Sequence, residues 1–339
     1  MLEPGKGSGP GALSMKFAHL LAASMVLAAA PALSQPAQLT PAGVPFTEID
    51  KTTITDEIPI GDRGDRMTVA VSVGGNGPYR FLVDTGSERT VISRQLADRL
   101  KLTDGRTTLL HSVIGATSVQ TVFIPGLKVS NSTISVANAP ALEAAHIGAD
   151  GLLGLDGLKS KRVLFDFKAQ TMSVTPSAQR ITEKVDGDVI VVRAKSRKGR
   201  LIFTEARVDG QKVAVIVDTG SQVTVGNLAL KSRLMKHDLQ MVPETLTIES
   251  VTGEKLVADV SILKLLEVDT IHLDRLPVAF ADAHIFKTLG LDKKPALLLG
   301  MNAMRAFDQI SIDFAAKKVR FVLPRTGMLY DVRMASLEK

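Results

Sequence analysis

The sequence predicts an all-β protein built from two homologous lobes with short helices, and two observations carry that prediction. The stretch Phe81-Leu82-Val83-Asp84-Thr85-Gly86-Ser87, followed by Thr90-Val91-Ile92, recurs as Val215-Ile216-Val217-Asp218-Thr219-Gly220-Ser221, followed by Thr224-Val225. In each copy a short apolar, β-branched run delivers a carboxylate into a glycine turn, and a second Thr/Val-rich run follows. The copies also share later landmarks in the same order. From the acid to a Gly-centred hairpin tip is 31 residues in one half (Asp84 to Gly115) and 35 in the other (Asp218 to Gly253). From the acid to a Leu-Gly pair is 70 residues (Asp84 to Gly154) and 82 (Asp218 to Gly300), and 12 or 13 more reach Asp166 and Asp313. A repeat of this length indicates two lobes rather than a solenoid, whose periods run from about 20 to 50 residues.

Taken in order, the chain opens on a Gly-rich stretch, residues 1–14. Met15-Lys16, an apolar run to Ala30 and the exit Pro31-Ala32-Leu33-Ser34 then have the pattern of a secretory signal peptide. Cleavage near Gln35 predicts an exported protein, periplasmic or secreted. Residues 1–34 are thus an extension and leader, 35–180 a first lobe, 181–326 a second lobe and 327–339 a tail.

In the first lobe Thr68–Val73 reads as a strand, Gly74 to Pro78 as a turn, and Tyr79–Val83 as the returning strand that presents Asp84. Ser93 is placed to cap a short helix carrying Leu96 and Leu100. Val113 to Ser118 is a hairpin tip around Gly115, and Gly151–Leu155 and Val163–Phe167 are apolar strand segments. The second lobe repeats this order. Ile202–Val208, the Asp209-Gly210 turn and Val213–Val217 present Asp218, Asn227 caps a helix through Leu230 and Leu234, and Gly253 marks a tip. Ala296–Met301 and Ile310–Phe314 match the first lobe's last segments. The polar stretch Thr175–Asp188 is the expected linker.

Composition narrows the chemistry. With 339 residues, 45% of them apolar, the chain can bury a sizeable core. A net charge of +6 favours anionic partners, yet only Arg193, Lys195, Arg197, Lys198 and Arg200 cluster, and that run reads as a solvated hairpin edge. No Trp and only two Tyr leave little for base or sugar stacking, so nucleic acid is not an expected partner. The absence of Cys excludes disulfides, thiolate metal sites and a thiol nucleophile. The six His show no paired ligand spacing, so no metal and no cofactor are expected.

With both apolar-Asp-Thr-Gly-Ser loops and both Leu-Gly runs in view, the sequence resembles the aspartic proteases over roughly residues 55–325. One catalytic loop per half resembles the bilobed pepsin arrangement, and the short lobes are similar to the retroviral-type unit of bacterial retropepsin-like proteins. The resemblance implies an endopeptidase that cleaves a peptide or protein substrate as a monomer, with Asp84 and Asp218 as an intramolecular dyad. It also implies that Thr85 and Thr219 hydrogen-bond across the lobes and that Ser87 and Ser221 donate to the acids. Gly86 and Gly220 would let backbone N–H groups approach the carboxylates. The tips at Gly115 and Gly253 become flaps, although the Tyr of a pepsin-like flap is missing between His111 and Pro125.

The chemistry suits paired acids. Two carboxyls about 3 Å apart cannot both ionise, so they hold one proton between them, and one acts as base while the other acts as acid. Two other readings stay open. The fold could bind peptides without cleaving them, or Asp84–Thr90 and Asp218–Thr224 could be Asp-x-Gly-Ser-x-x-Thr phosphate loops, which resemble those of actin-like ATP-dependent kinases. A kinase fold, however, alternates strands with long helices, and the sequence offers none.

Overall fold

A computed structural model describes residues 58–324 apart from 60, 64–65, 130–131, 179–186 and 238. The predicted leader, the lead-in to Thr55 and the tail lie outside the described residues. Each half of the chain builds one large sheet. In the first, the hydrogen-bonded order is Gly61–Arg63, Arg66–Val73, Asn76–Val83, Gly151–Leu153, Val91–Ser93, Ser132–Leu142 and Thr121–Val129. In the second it is Lys195–Arg197, Arg200–Val208, Gln211–Val217, Ala296–Leu299, Thr224–Gly226, Ile271–Phe280, Lys255–Val268 and Met241–Glu249. Both sheets carry one extra closure, Arg66–Val73 on Thr121–Val129 and Arg200–Val208 on Lys255–Val268. The lobes are therefore the same fold written twice, all-β with short helices.

A third sheet joins the halves. Its order is Ile58–Pro59, Thr171–Pro176, Lys161–Asp166, Gln309–Asp313, Lys318–Val322 and Val189–Arg193. The pairing of Lys161–Asp166 with Gln309–Asp313 ties the C-terminal hairpins of the two lobes together. Part of the expected linker thus belongs to a strand, because Thr175 and Pro176 pair with Arg162 and Lys161.

Local chemistry explains the elements. Gly74 and Gly75 have φ of 56° and 83°, and Asp209 and Gly210 have 46° and 76°; positive φ at both positions gives the two-residue turn whose twist matches a hairpin. Pairing resumes at once, so the returning strand starts at Asn76, opposite Val73, and the turn is shorter than the expected Gly74 to Pro78. Ser93 and Asn227 cap their helices as predicted, accepting from the N–H of Leu96 at 3.2 Å and of Leu230 at 2.8 Å. Among the described residues no α-helix exceeds the seven residues of Leu228–Leu234, which excludes the alternating layers of a kinase, and none is long enough to cross a membrane.

One continuous core runs through both lobes and the joining sheet, with Phe81 and Val83 from the first, Val215 and Val217 from the second, and Phe165, Ile310 and Phe321 from the third. Burial of side chains of this size contributes about 1.5–3 kcal/mol each. The strands that end at Asp84 and Asp218 are buried over their last three residues. Each is flanked by neighbours along both edges, which fixes the height at which its acid emerges.

Candidate active site

Each acid is positioned by a strand that crosses beside its own. Gly151–Leu153 runs parallel to Phe81–Val83 and antiparallel to Val91-Ile92, and Ala296–Leu299 does the same beside Ala214–Val217 and Val225-Gly226. At the strand ends the Asp84 N–H donates to the Leu153 carbonyl at 3.0 Å, and the Asp218 N–H donates to Leu299 at 3.1 Å. The Leu-Gly runs recognised in the sequence are therefore the struts behind the acids. Their glycines are required by contact: a Cβ on Gly154 would strike the Arg89 carbonyl, and one on Gly300 would strike that of Val223.

Each loop is then locked from behind. Gly154 N–H donates to Thr90 Oγ1 at 3.2 Å, which itself donates to Asp156 at 2.7 Å; Gly300 N–H donates to Thr224 Oγ1 at 3.2 Å, which donates to Asn302 at 2.8 Å. Asp156 and Asn302 are equivalent residues that sequence reading missed. Their spacing, two residues after each Leu-Gly glycine, was the available signal.

Across the lobes the two threonines exchange four hydrogen bonds. Thr85 Oγ1 donates to the Val217 carbonyl at 3.0 Å and accepts from the Thr219 N–H at 3.1 Å. Thr219 Oγ1 donates to the Val83 carbonyl at 2.8 Å and accepts from the Thr85 N–H at 3.0 Å. Both side chains are buried, so every donor and acceptor in this knot depends on the opposite lobe.

That knot brings Asp84 and Asp218 into direct side-chain contact. Asp218 is buried and Asp84 keeps part of its surface open. Burial, then the neighbouring Asp218 charge, pushes the Asp84 carboxyl up to about 7. Burial likewise raises Asp218. Opposing this, the Gly86 N–H donates to Asp84 Oδ1 at 2.8 Å and the Gly220 N–H to Asp218 Oδ1 at 2.9 Å. The two titrate as one unit.

Two expectations need correction. The Ser87 and Ser221 hydroxyls do not donate to the acids: Ser87 Oγ donates to the Arg89 carbonyl at 2.8 Å and Ser221 Oγ to the Val223 carbonyl at 2.7 Å. A carbonyl two residues ahead is in easy reach of a serine hydroxyl. Asp84 Oδ1 is already served by the Gly86 and Ser87 backbone N–H groups, the latter at 3.0 Å. The second correction concerns the basic run. Lys195–Arg197 is an exposed edge strand as expected, but the Arg200 side chain is 6% exposed and reaches into the other lobe. Its Nε donates to the Gly86 carbonyl and its terminal nitrogen to Glu88 Oε1, both at 2.7 Å, and its charge lowers both acids.

The hairpin tips at Gly115 and Gly253 meet each other. Glu254, beside the second tip, accepts from Ser112 and Thr117 beside the first, at 2.9 and 2.8 Å. The hairpins differ in construction. Thr108–His111 and Ala116–Val119 form a separate two-stranded sheet, whereas Met241–Glu249 and Lys255–Val268 extend the second lobe's sheet. Among the described residues no cluster of His and carboxylates could hold a metal ion.

Fold and site together define a bilobed β protein with one acid per lobe meeting at the lobe interface. The family model described as aspartyl protease matches residues 69–156 and 204–303, more than half of the chain, and the protein belongs to that family. No curated protein matches it.

Proposed function

We propose that this protein is an aspartic endopeptidase in which Asp84 and Asp218 form the catalytic dyad. The observation that carries the reading is the contact between two carboxyls from opposite lobes, both raised, so that the pair retains a proton where isolated carboxyls would be ionised. In that state the ionised partner takes a proton from water as the water attacks the peptide carbonyl, and the protonated partner donates to the carbonyl oxygen. Collapse of the tetrahedral species breaks the C–N bond after a proton passes to the amide nitrogen. Thr85, Gly86, Ser87, Thr219, Gly220 and Ser221 support the dyad through backbone and inter-lobe bonds, and no cofactor enters the steps.

An extended peptide fits a cleft between hairpins as an added strand, with backbone bonds giving affinity and side-chain pockets giving selectivity. The dyad is complete within one chain, which supports a monomer as the active species. The leader-like segment from Met15 to Gln35 supports export, to the periplasm or beyond. The test is cleavage of a diverse peptide library by the purified chain from acid to neutral pH, beside Asp84→Asn and Asp218→Asn. Each variant should lose nearly all turnover while remaining folded. Binding without cleavage by the unaltered chain would instead establish a peptide-binding protein, and wild-type turnover in either variant would refute the dyad.

A further inference from the structure

Glu254 sits where the two hairpins touch and gathers hydroxyls from both. Ser250 and Thr252 of its own hairpin donate at 3.1 and 2.8 Å, while Ser112 and Thr117 of the other donate at 2.9 and 2.8 Å. An ionised carboxylate accepts from all four, whereas a protonated one gives up acceptor capacity to its own O–H. The hydroxyls accordingly hold the Glu254 carboxyl below its ordinary 4.5, with Thr252 the largest contributor.

The hairpins also interlock beyond this point. Val113 beside the first tip packs on the second lobe's apolar cluster, and its carbonyl accepts from the His284 N–H at 2.6 Å. Val251 beside the second tip packs on the first lobe's cluster. Gly253, at φ 85°, lies against His146 so closely that a Cβ would fall 2.5 Å from the ring. His111 and His284 stack with Nδ1 and Nε2 3.0 Å apart, a bond that needs at least one neutral ring. Each tip thus reaches the opposite lobe. The titratable groups near the tips are His111, Glu249, Glu254, Lys255, Glu143, His146, His284 and Lys287, and Glu244, Asp259, Lys264 and Glu267 lie farther along the strands of the second hairpin.

We propose that Glu254 is the latch of a two-hairpin lid: its carboxylate joins the hydroxyls of both hairpins and keeps them closed, and loss of its charge lets them separate to admit a peptide. The role as a lid rests on the endopeptidase reading, while the latch itself is a property of the resting chain. Because the ionised form makes the contact, the latch is present above the carboxyl's lowered value and fails as pH falls through it.

The absence of cysteine makes the test direct. Leu109 on the first hairpin and Val257 on the second are 60% and 65% exposed, so Leu109→Cys with Val257→Cys allows two spin labels and a measured distance without substrate. The unaltered lid should give one narrow distribution at neutral pH. Glu254→Ala, and separately Ser112→Ala with Thr117→Val, should lengthen the distance beyond the width of that distribution. Acidification to well below the ordinary 4.5, past the carboxyl's lowered value, should lengthen it in the parent and move Glu254→Ala less. Distances indifferent to all three changes would overturn the latch even if the protein cleaves peptides. A moving lid on a chain that cleaves nothing would overturn the endopeptidase reading and leave the latch standing.

Discussion

Gly86 in the first loop lies against the carboxylate of Asp218 from the second, so closely that a Cβ there would fall 2.5 Å from Oδ1. Gly220 lies in the same way against Asp84. Each glycine therefore serves two acids: its N–H holds its own lobe's carboxylate, and its missing side chain makes room for the other's. Gly86→Ala and Gly220→Ala should each drive the carboxyls apart and remove peptidase activity. Turnover on a peptide substrate, read beside a crystal structure of the variant, checks this; an active alanine variant would show that carboxyl contact is not required.

The threonine knot should dominate the stability of the lobe interface. Thr85→Val keeps shape but strips a donor from the Val217 carbonyl and an acceptor from the Thr219 N–H, both buried. At about 1–3 kcal/mol for each unpaired buried group, a loss of about 2–6 kcal/mol is expected in urea unfolding. Thr85→Ser, which retains the hydroxyl, should recover most of it. Thr85→Val with Thr219→Val should cost more than either single change, because the two hydroxyls serve four different backbone groups, the Val217 and Val83 carbonyls and the Thr219 and Thr85 N–H groups.

Arg200 ties charge to pH dependence. Under the proposed dyad mechanism activity needs one proton on the pair, so its basic limb should fall as pH rises past about 7, where Asp84 is held. The Arg200 guanidinium favours the ionised acids, so Arg200→Met should move that limb upward, while also lowering kcat by freeing the Gly86 carbonyl. Ser87→Ala should leave the limb in place, since its hydroxyl bonds the Arg89 carbonyl rather than the acid. A pH–rate profile of the three proteins decides between these outcomes.

The same raised carboxyls predict where the fold is weakest. The folded state favours their protonated forms, so their contribution is favourable below the ordinary 3.8 and is lost as pH rises toward 7. Asp218→Asn removes a buried acid that must ionise. It should stabilise the protein by about 1–2 kcal/mol at pH 8 and hardly at all at pH 4. Thermal unfolding at the two pH values measures the difference, and equal effects at both would contradict a raised pair.

The sequence by itself determined the duplication, the acid-bearing strand ends, the hairpins and the helix caps. These features have local signatures: β-branched runs, Asp-Gly and Gly-Gly turns, and a Ser or Asn placed three residues before the N–H it caps. The family resemblance added the expectation that Thr85 and Thr219 would meet, and their four bonds are what the structure shows. Only the tertiary structure decided which groups from different lobes touch. Arg200 read as one more charge on a hairpin edge until the lobes came together and buried it against Gly86 and Glu88. Ser87 and Ser221 took nearby carbonyls once backbone N–H groups had claimed the acids. Glu254 lies in an unremarkable Thr-Gly-Glu turn, and its partners at Ser112 and Thr117 are more than a hundred residues away. Such contacts follow from the orientation that the joining sheet imposes on the two lobes. No periodicity or turn chemistry within either half encodes that orientation.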